Sequence, residues 1–348
     1  MKRKVIFDSD LAYLNDDALG MFMVAQADSL GELELLGVCS VGGNVFVPEA
    51  TVAGLRQLEL IGRPDIKVYQ GTDEPLDGFR NMREEEKVYG TPYYCGAYWD
   101  FSTNDYFDLS KRSTDYLHLA SEPLYGYPTT RAEDQSAWDF MIESVNKYPG
   151  EVTIMAVGGA TNVALALRKD PSIAEKAAGI IYMGGDIDVP GNATPAAEMN
   201  WFYDPKAIKE CLAAPWKSQT VVPDDLARKI YITQEIYDRL AAKRGNAISE
   251  LILKQERTFD DEGANYVWDV VVPAVFLRPE LVTRMDTRAL TVDDAPGLNN
   301  GRAVSWPQHQ HNNLETGEGL PEGVRVVQIV MDIDADAFWD FYVDILTK

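Results

Sequence analysis

Short apolar runs that stop at an aspartate or a glycine pair, then pass into helical spacing, recur along this chain and limit its fold more than any other feature. Lys4–Phe7 reads as a buried strand, and Asp16–Gln26 as the helix that follows it. Leu33–Val41 is a second strand ending in Gly42-Gly43-Asn44, followed by a helix over Glu49–Ile61 and a short strand at Ile66–Tyr69. The rhythm resumes with a helix at Ser136–Lys147, a strand at Val152–Val157, a helix at Thr161–Arg168 and a strand at Gly179–Met183. A helix at Pro205–Leu212 and a strand at Gln219–Val222 close the series. Strands alternating with helices predict an α/β fold, an open, mostly parallel, doubly wound sheet covered on both faces. Such sheets gather their sites where strand C-terminal ends meet helix N-termini. Asp10, Asn44, Val157 and Gly184 lie at or just past strand ends, so the chemistry is expected on that edge.

The rhythm breaks between Gly78 and Arg131, a stretch that includes Tyr89, Tyr93, Tyr94, Tyr98, Trp99, Phe101, Tyr106 and Phe107. So many aromatics argue against disorder. The stretch reads as a packed insertion, a subunit contact or a substrate lid. With no internal repeat and no linker, the chain reads as a single domain over residues 1–348 carrying an insertion at about 78–131. The formal charge of −23 argues against a nucleic-acid partner, because phosphate binding needs a basic face. No apolar run reaches the ~20 residues of a membrane span. Cys39, Cys95 and Cys211 are widely spaced, which fits a reducing cytoplasm better than a disulfide framework or a zinc site.

Residues 6–20, IFDSDLAYLNDDALG, run from the first strand into Asp8, Asp10, Asp16 and Asp17. Carboxylates so close repel one another. A hard cation would offset that repulsion, and calcium takes about six to eight oxygen ligands at varied angles. A solvated surface turn and general acid/base work are the alternatives. Two further segments favour a site. VTIMAVGGATNVALALR, 152–168, is a strand running through a Gly-Gly turn into a helix, and YMGGDIDVPGNATPAAEMNWFYDP, 182–205, places Asn192, Glu198 and Asn200 on a Gly/Pro-shaped loop. Amides and carboxylates of this kind suit a polyhydroxyl ligand such as a ribose.

These segments resemble the nucleoside hydrolases, the calcium-dependent, inosine–uridine-preferring N-ribohydrolases. DSDLAYLNDDALG is similar to the family signature DTDxGxDxDDALAL, GVCSVGGN to GVTTVxGN, and VTIMAVGGATNVALAL to VTLVALGPLTNIALAL. GNATPAAEMNWFYDP resembles GNVTPAAEFNIYVDP, and YVWDVVVPAVFLRPEL, 266–281, resembles (H/W)DPLAVAYLLDPEL. The resemblance implies hydrolysis of the N-glycosidic bond of a ribonucleoside to ribose and free base. It assigns Asp10 as general base and metal contact, with Asp17, Asp269 and the Val157 carbonyl as further calcium ligands. It gives the ribose hydroxyls to Asp16, Asn44, Asn192, Glu198 and Asn200. It also implies a homodimer or homotetramer.

At the position where many members carry a histidine, this chain has Trp268, as in purine-preferring members whose indole stacks on the base. His118, His309 and His311 fall in no matched motif. Trp268 is therefore expected to activate a purine leaving group, with Trp99 or a tyrosine from Tyr89 to Tyr98 completing a sandwich. The signature departs from the family at Ala12, Tyr13 and Leu14. A non-catalytic nucleoside-binding homologue is one alternative. A phosphatase of the haloacid dehalogenase type is another, although Leu11-Ala12 supplies no hydroxyl for it.

Overall fold

A computed structural model describes residues 2–255, 257–259 and 265–348. Its strands, in chain order, are β1 (Lys4–Ser9), β2 (Glu34–Ser40), β3 (Val68–Gln70), β4 (Trp99–Asp100), β5 (Asp105–Tyr106) and β6 (Val152–Ala156). They continue with β7 (Gly179–Met183), β8 (Gln219–Val222), β9 (Val282–Val292), β10 (Ala303–Trp306) and β11 (Arg325–Ile333). Nine of them form one sheet in the order β10-β9-β11-β8-β7-β6-β1-β2-β3. From β11 to β3 every pairing is parallel, and β9 runs antiparallel to both of its neighbours. The central strands β1, β6 and β7 are buried at every residue, as strands covered on both faces must be.

Two apolar cores lie against the sheet. One holds residues of the helices Asp16–Ser29, Val271–Leu277 and Ala335–Thr347, and the other those of Ala137–Lys147, Thr161–Lys169 and Pro205–Ala213. The doubly wound α/β architecture is the one that the alternation predicts. The elements up to Val222 fall within a few residues of their expected bounds. Beyond them the structure adds β9, β10, β11 and the C-terminal helix, for which the strand–helix rhythm gives no expectation. No helix among the described residues is long and apolar enough to cross a membrane.

Strand β1 is where the winding reverses, with β2 and β3 on one side and β6, β7 and β8 on the other. In register, Asp8 lies beside Cys39 of β2 and Ala156 of β6. The C-terminal end of β1 therefore opens into a crevice between two neighbouring strand ends, the position at which open α/β sheets bind their ligands.

The 78–131 stretch has structure of its own, including a helix over Met82–Tyr89 and the β4–β5 hairpin. Its aromatics pack with the loop after β7: Met82, Cys95 and Tyr98 bury against Ala193, Ala197, Met199, Phe202 and Tyr203. The sequence MREEEKVY hides this helix, because one short apolar stripe is outweighed by charge. Asn81 caps it by accepting from the Glu84 N–H.

Candidate active site

The acidic cluster is assembled from the end of β1 and the first turn of the helix Asp16–Ser29. Leu14 enters the core at 2% exposure, and the Ala12 and Tyr13 carbonyls accept from Gln57 Nε2. The unusual Ala12-Tyr13-Leu14 thus anchors the loop through Leu14 and leaves Tyr13 projecting at 57% exposure. Beyond it, Asp17 is buried and accepts from Ser9 Oγ (2.5 Å), Asn15 Nδ2 (2.8 Å) and Asn44 Nδ2 (3.0 Å). Asp8 points elsewhere, toward the first turn of the helix Thr161–Lys169, where Asn162 Nδ2 donates to it at 2.7 Å.

Asp10 accepts the Asn44 backbone N–H on Oδ2 at 2.6 Å, while its Oδ1 is buried without a hydrogen-bond partner. The backbone runs so close to this carboxylate that a Cβ on Gly43 would sit 2.1 Å from Oδ2, and one on Gly158 2.9 Å from Oδ1. Oxygens of Asp16, Asp17 and Asp269 all lie within 4.8 Å of one another. Burial, reinforced by Asp17, holds the Asp10 carboxyl well above the usual carboxylate range. Burial and then Asp17, Asp16 and Asp10 do the same to Asp269. Asp16 is pushed up to about 7, again by burial and Asp17. An arrangement of hard oxygen donors that repel one another, one of them buried and unpaired, fits an oxygen-preferring divalent cation.

Across the crevice, the Val157 carbonyl at the end of β6 accepts from Asn200 Nδ2 at 3.1 Å, and the same amide reaches the Met183 carbonyl at 3.3 Å. Glu198 caps the helix Met199–Tyr203: Oε1 accepts from the Asn200 N–H (2.7 Å), and Oε2 from Gly185 (2.9 Å) and Trp201 (3.1 Å). Burial pushes its carboxyl up to about 7 against these three donors. Asn192 accepts from the Met199 N–H at 2.8 Å.

Asp10, Asp16, Asn44, Val157, Asn192, Glu198, Asn200, Trp268 and Asp269 together line one cavity of about 450 Å³. Asp17 lies behind it, joined through Asn44 and Asn15. Trp99 is not on the cavity. It pairs with Tyr106 across the β4–β5 hairpin, edge to face at 5.4 Å, and turns into the insertion's own core. The insertion instead offers Tyr94, whose hydroxyl donates to Asn44 Oδ1 at 2.8 Å. Tyr13, singled out in the sequence as a departure from the signature, also lines the cavity, as do Asn15, Met183 and Met199, which the sequence reading passed over. Met183 could have been found as the last residue of a strand before Gly184-Gly185. Tyr94 falls in the run from Tyr89 to Tyr98 from which the sequence offered a second aromatic as the alternative to Trp99. No histidine lines the cavity among the described residues.

The family profile described as inosine-uridine preferring nucleoside hydrolase matches residues 5–340. The chain belongs to this family. Uridine nucleosidase 1 of Arabidopsis thaliana is 30% identical over 305 residues, which cover 83% of this chain and 80% of that relative. Among solved structures, a plant nucleoside hydrolase, the PpNRh1 enzyme, superposes with a TM-score of 0.78 at 26% identity, covering 100% of this chain and 99% of that one. The purine-preferring ribonucleoside hydrolase from Gardnerella vaginalis shares the fold, with a TM-score of 0.72 at 22% identity over 99% and 98% of the two chains. As a nucleoside hydrolase, the protein is an enzyme acting on a small-molecule nucleoside. That membership sets aside the phosphatase alternative, which shares only the strand-end aspartates.

Proposed function

We propose that this nucleoside hydrolase cleaves purine ribonucleosides with calcium as its cation. The observation that carries the reading is Trp268, half-buried on the wall of the cavity immediately before Asp269, in a cavity that no histidine lines among the described residues. An indole face overlaps a purine more fully than a pyrimidine and attracts a base that gains positive charge on protonation. Tyr94 stands in for Trp99 as the second aromatic on the cavity.

The residues suited to hold the cation are Asp10, Asp17, Asp269 and the Val157 carbonyl. The chemistry that a bound calcium ion supplies is orientation of the nucleophilic water and the vicinal hydroxyls, and a lower pKa for that water. Asp10 accepts the proton of the water, since its Oδ1 has no competing donor. Asp16, Asn44, Asn192, Glu198 and Asn200 receive the ribose. Glu198 is held rigid by its three backbone donors, so its charge faces the sugar without reorganisation. Cleavage of the N-glycosidic bond builds oxocarbenium-like charge on the ribose, and carboxylates fixed around it favour that charge.

Relatives carry uridine in their names, so the test compares bases directly. Base release from inosine, guanosine, adenosine, uridine and cytidine is measured with calcium, after chelation, and after calcium is restored. The reading expects purines to be cleaved fastest and chelation to stop turnover reversibly. Faster cleavage of uridine than of inosine would overturn the purine preference. Full activity under chelator would overturn the cation. No cleavage of any nucleoside would leave a binding protein.

A further inference from the structure

Trp268 is not held by packing alone. Its Nε1–H donates to Asp224 Oδ1 at 2.7 Å, and its ring meets that of Tyr266 in a tilted contact at 4.9 Å and 60°. Indole nitrogen is a donor only, so this single bond fixes which way the ring faces. Asp224 is 1% exposed and stands just past the end of β8, where its own N–H donates to the Gly185 carbonyl at 3.0 Å. It is therefore built into the functional edge of the sheet, yet does not line the cavity.

The other oxygen of Asp224 pairs with Arg228, one turn along the chain. The same guanidinium nitrogen also reaches the Pro190 carbonyl at 2.9 Å and Asp186 Oδ1 at 3.3 Å. Burial, with Glu198 and Asp224 nearby, raises the Asp186 carboxyl, and of the two aspartates Arg228 stands nearer to Asp224. The result is a relay of contacts, Trp268 to Asp224 to Arg228, with a carboxylate placed against the indole N–H.

We infer that Asp224 is a positioning residue for the leaving group: its carboxylate orients the Trp268 indole and enriches the ring face against which the base departs. The inference rests on the hydrolase reading above and deepens it. A carboxylate that accepts an N–H bond pushes electron density into the donor ring, and a charge-assisted bond is roughly twice as strong as a neutral one. A richer ring face attracts a protonated base more strongly. The effect belongs to the departure of the base and not to sugar binding. It should therefore vanish for a substrate whose leaving group needs no protonation.

Inosine and 4-nitrophenyl β-ribofuranoside, whose phenolate leaves unaided, make that comparison with calcium-loaded enzyme. Asp224→Asn keeps the size and an acceptor oxygen but removes the charge. It is expected to lower kcat/KM for inosine by about tenfold, mainly in kcat, and to change the nitrophenyl riboside less than about twofold. Trp268→Phe, which keeps an aromatic face without the donor, is expected to lose at least as much on inosine alone. Asp224→Asn added to Trp268→Phe should then cost nothing further. Equal losses on both substrates, or the same loss in the Phe background, would overturn the inference. Independently of turnover, the 15N-indole resonance missing from Trp268→Phe should move upfield in Asp224→Asn, and an unmoved resonance would also overturn it. A wild-type enzyme that cleaves the nitrophenyl riboside but not inosine would instead overturn the purine reading.

Discussion

Gly43→Ala tests the placement of Asp10 without touching Asp10 itself. The added Cβ would lie 2.1 Å from Asp10 Oδ2, 2.7 Å from Cγ and 2.9 Å from Cβ. Carbon and oxygen in ordinary contact stand about 3.2 Å apart or more, so the carboxylate must swing aside by about 1 Å. That swing breaks the 2.6 Å bond from the Asn44 N–H, a charged hydrogen bond worth about 1.5–3 kcal/mol. A displacement of this size at a reacting group costs about 10²-fold in rate. Gly43 is not among the glycines with positive φ, so alanine meets no backbone strain there and the effect is steric. Gly62→Ala is the converse control. Its φ is +78° and a Cβ would meet nothing within 4 Å, so it should cost about 1–2 kcal/mol of stability and leave turnover alone. Initial rates of base release at saturating calcium, with denaturant unfolding of both variants, decide the matter. A Gly43→Ala kcat within threefold of wild type would refute the assignment of Asp10.

Three further outcomes follow from the geometry. Asp269→Asn should abolish the calcium-dependent stabilisation, about 2.7 kcal/mol for wild type at a hundredfold excess over Kd, yet leave the calcium-free variant at least as stable as calcium-free wild type in denaturant unfolding; a less stable calcium-free variant would contradict the repulsion among Asp16, Asp17 and Asp269. Glu59, half-buried and bonded by Thr129, Thr130 and Arg56, is lowered from 4.5 to about 2, so its stabilisation of ~2–3 kcal/mol is whole above pH 4.5 and lost as pH falls through about 2. Glu59→Gln should flatten acid unfolding in that window, and an unchanged profile would refute the role. Tyr13→Ala, at the rim between the 450 Å³ cavity and a neighbouring one of about 150 Å³, should shift stability by less than about 0.5 kcal/mol and change the ratio of KM values between inosine and bulkier N6-substituted purines; an unchanged ratio would count against a rim role.

What could be read from the chain was what is local in it. Asp8, Asp10, Asp16 and Asp17 sit within one strand–loop–helix, and Asn192, Glu198 and Asn200 within nine residues, so spacing grouped them, while the family resemblance set Asp8 apart. Leu14 was opaque because a leucine in an acidic loop gives no sign that it enters the core. Tyr94 and Trp99 are five residues apart in one aromatic run, and only the β4–β5 pairing decides which turns inward. Asp224 follows a strand end as many aspartates do; its bond to Trp268 spans 44 residues and leaves no pattern. β9, second from the edge of the sheet, carries Arg284, Asp286 and Arg288 and buries only Ala289, Leu290 and Val292, so its hydrophobic signal is correspondingly weak.

The insertion also meets the acidic cluster through its backbone. Ala97 donates its N–H to the Gly43 carbonyl at 2.9 Å, and a Cβ on Gly96 would stand 2.3 Å from that same oxygen. Two glycines, 43 and 96, therefore form a joint whose halves lie on separate segments of the chain. An accessory segment fastened this way cannot drift freely over evolutionary time or be grafted from a cousin as a cassette. Either glycine would be replaceable only in step with the surface that the other presents, and the aromatic insertion would be inherited together with the carboxylate it flanks.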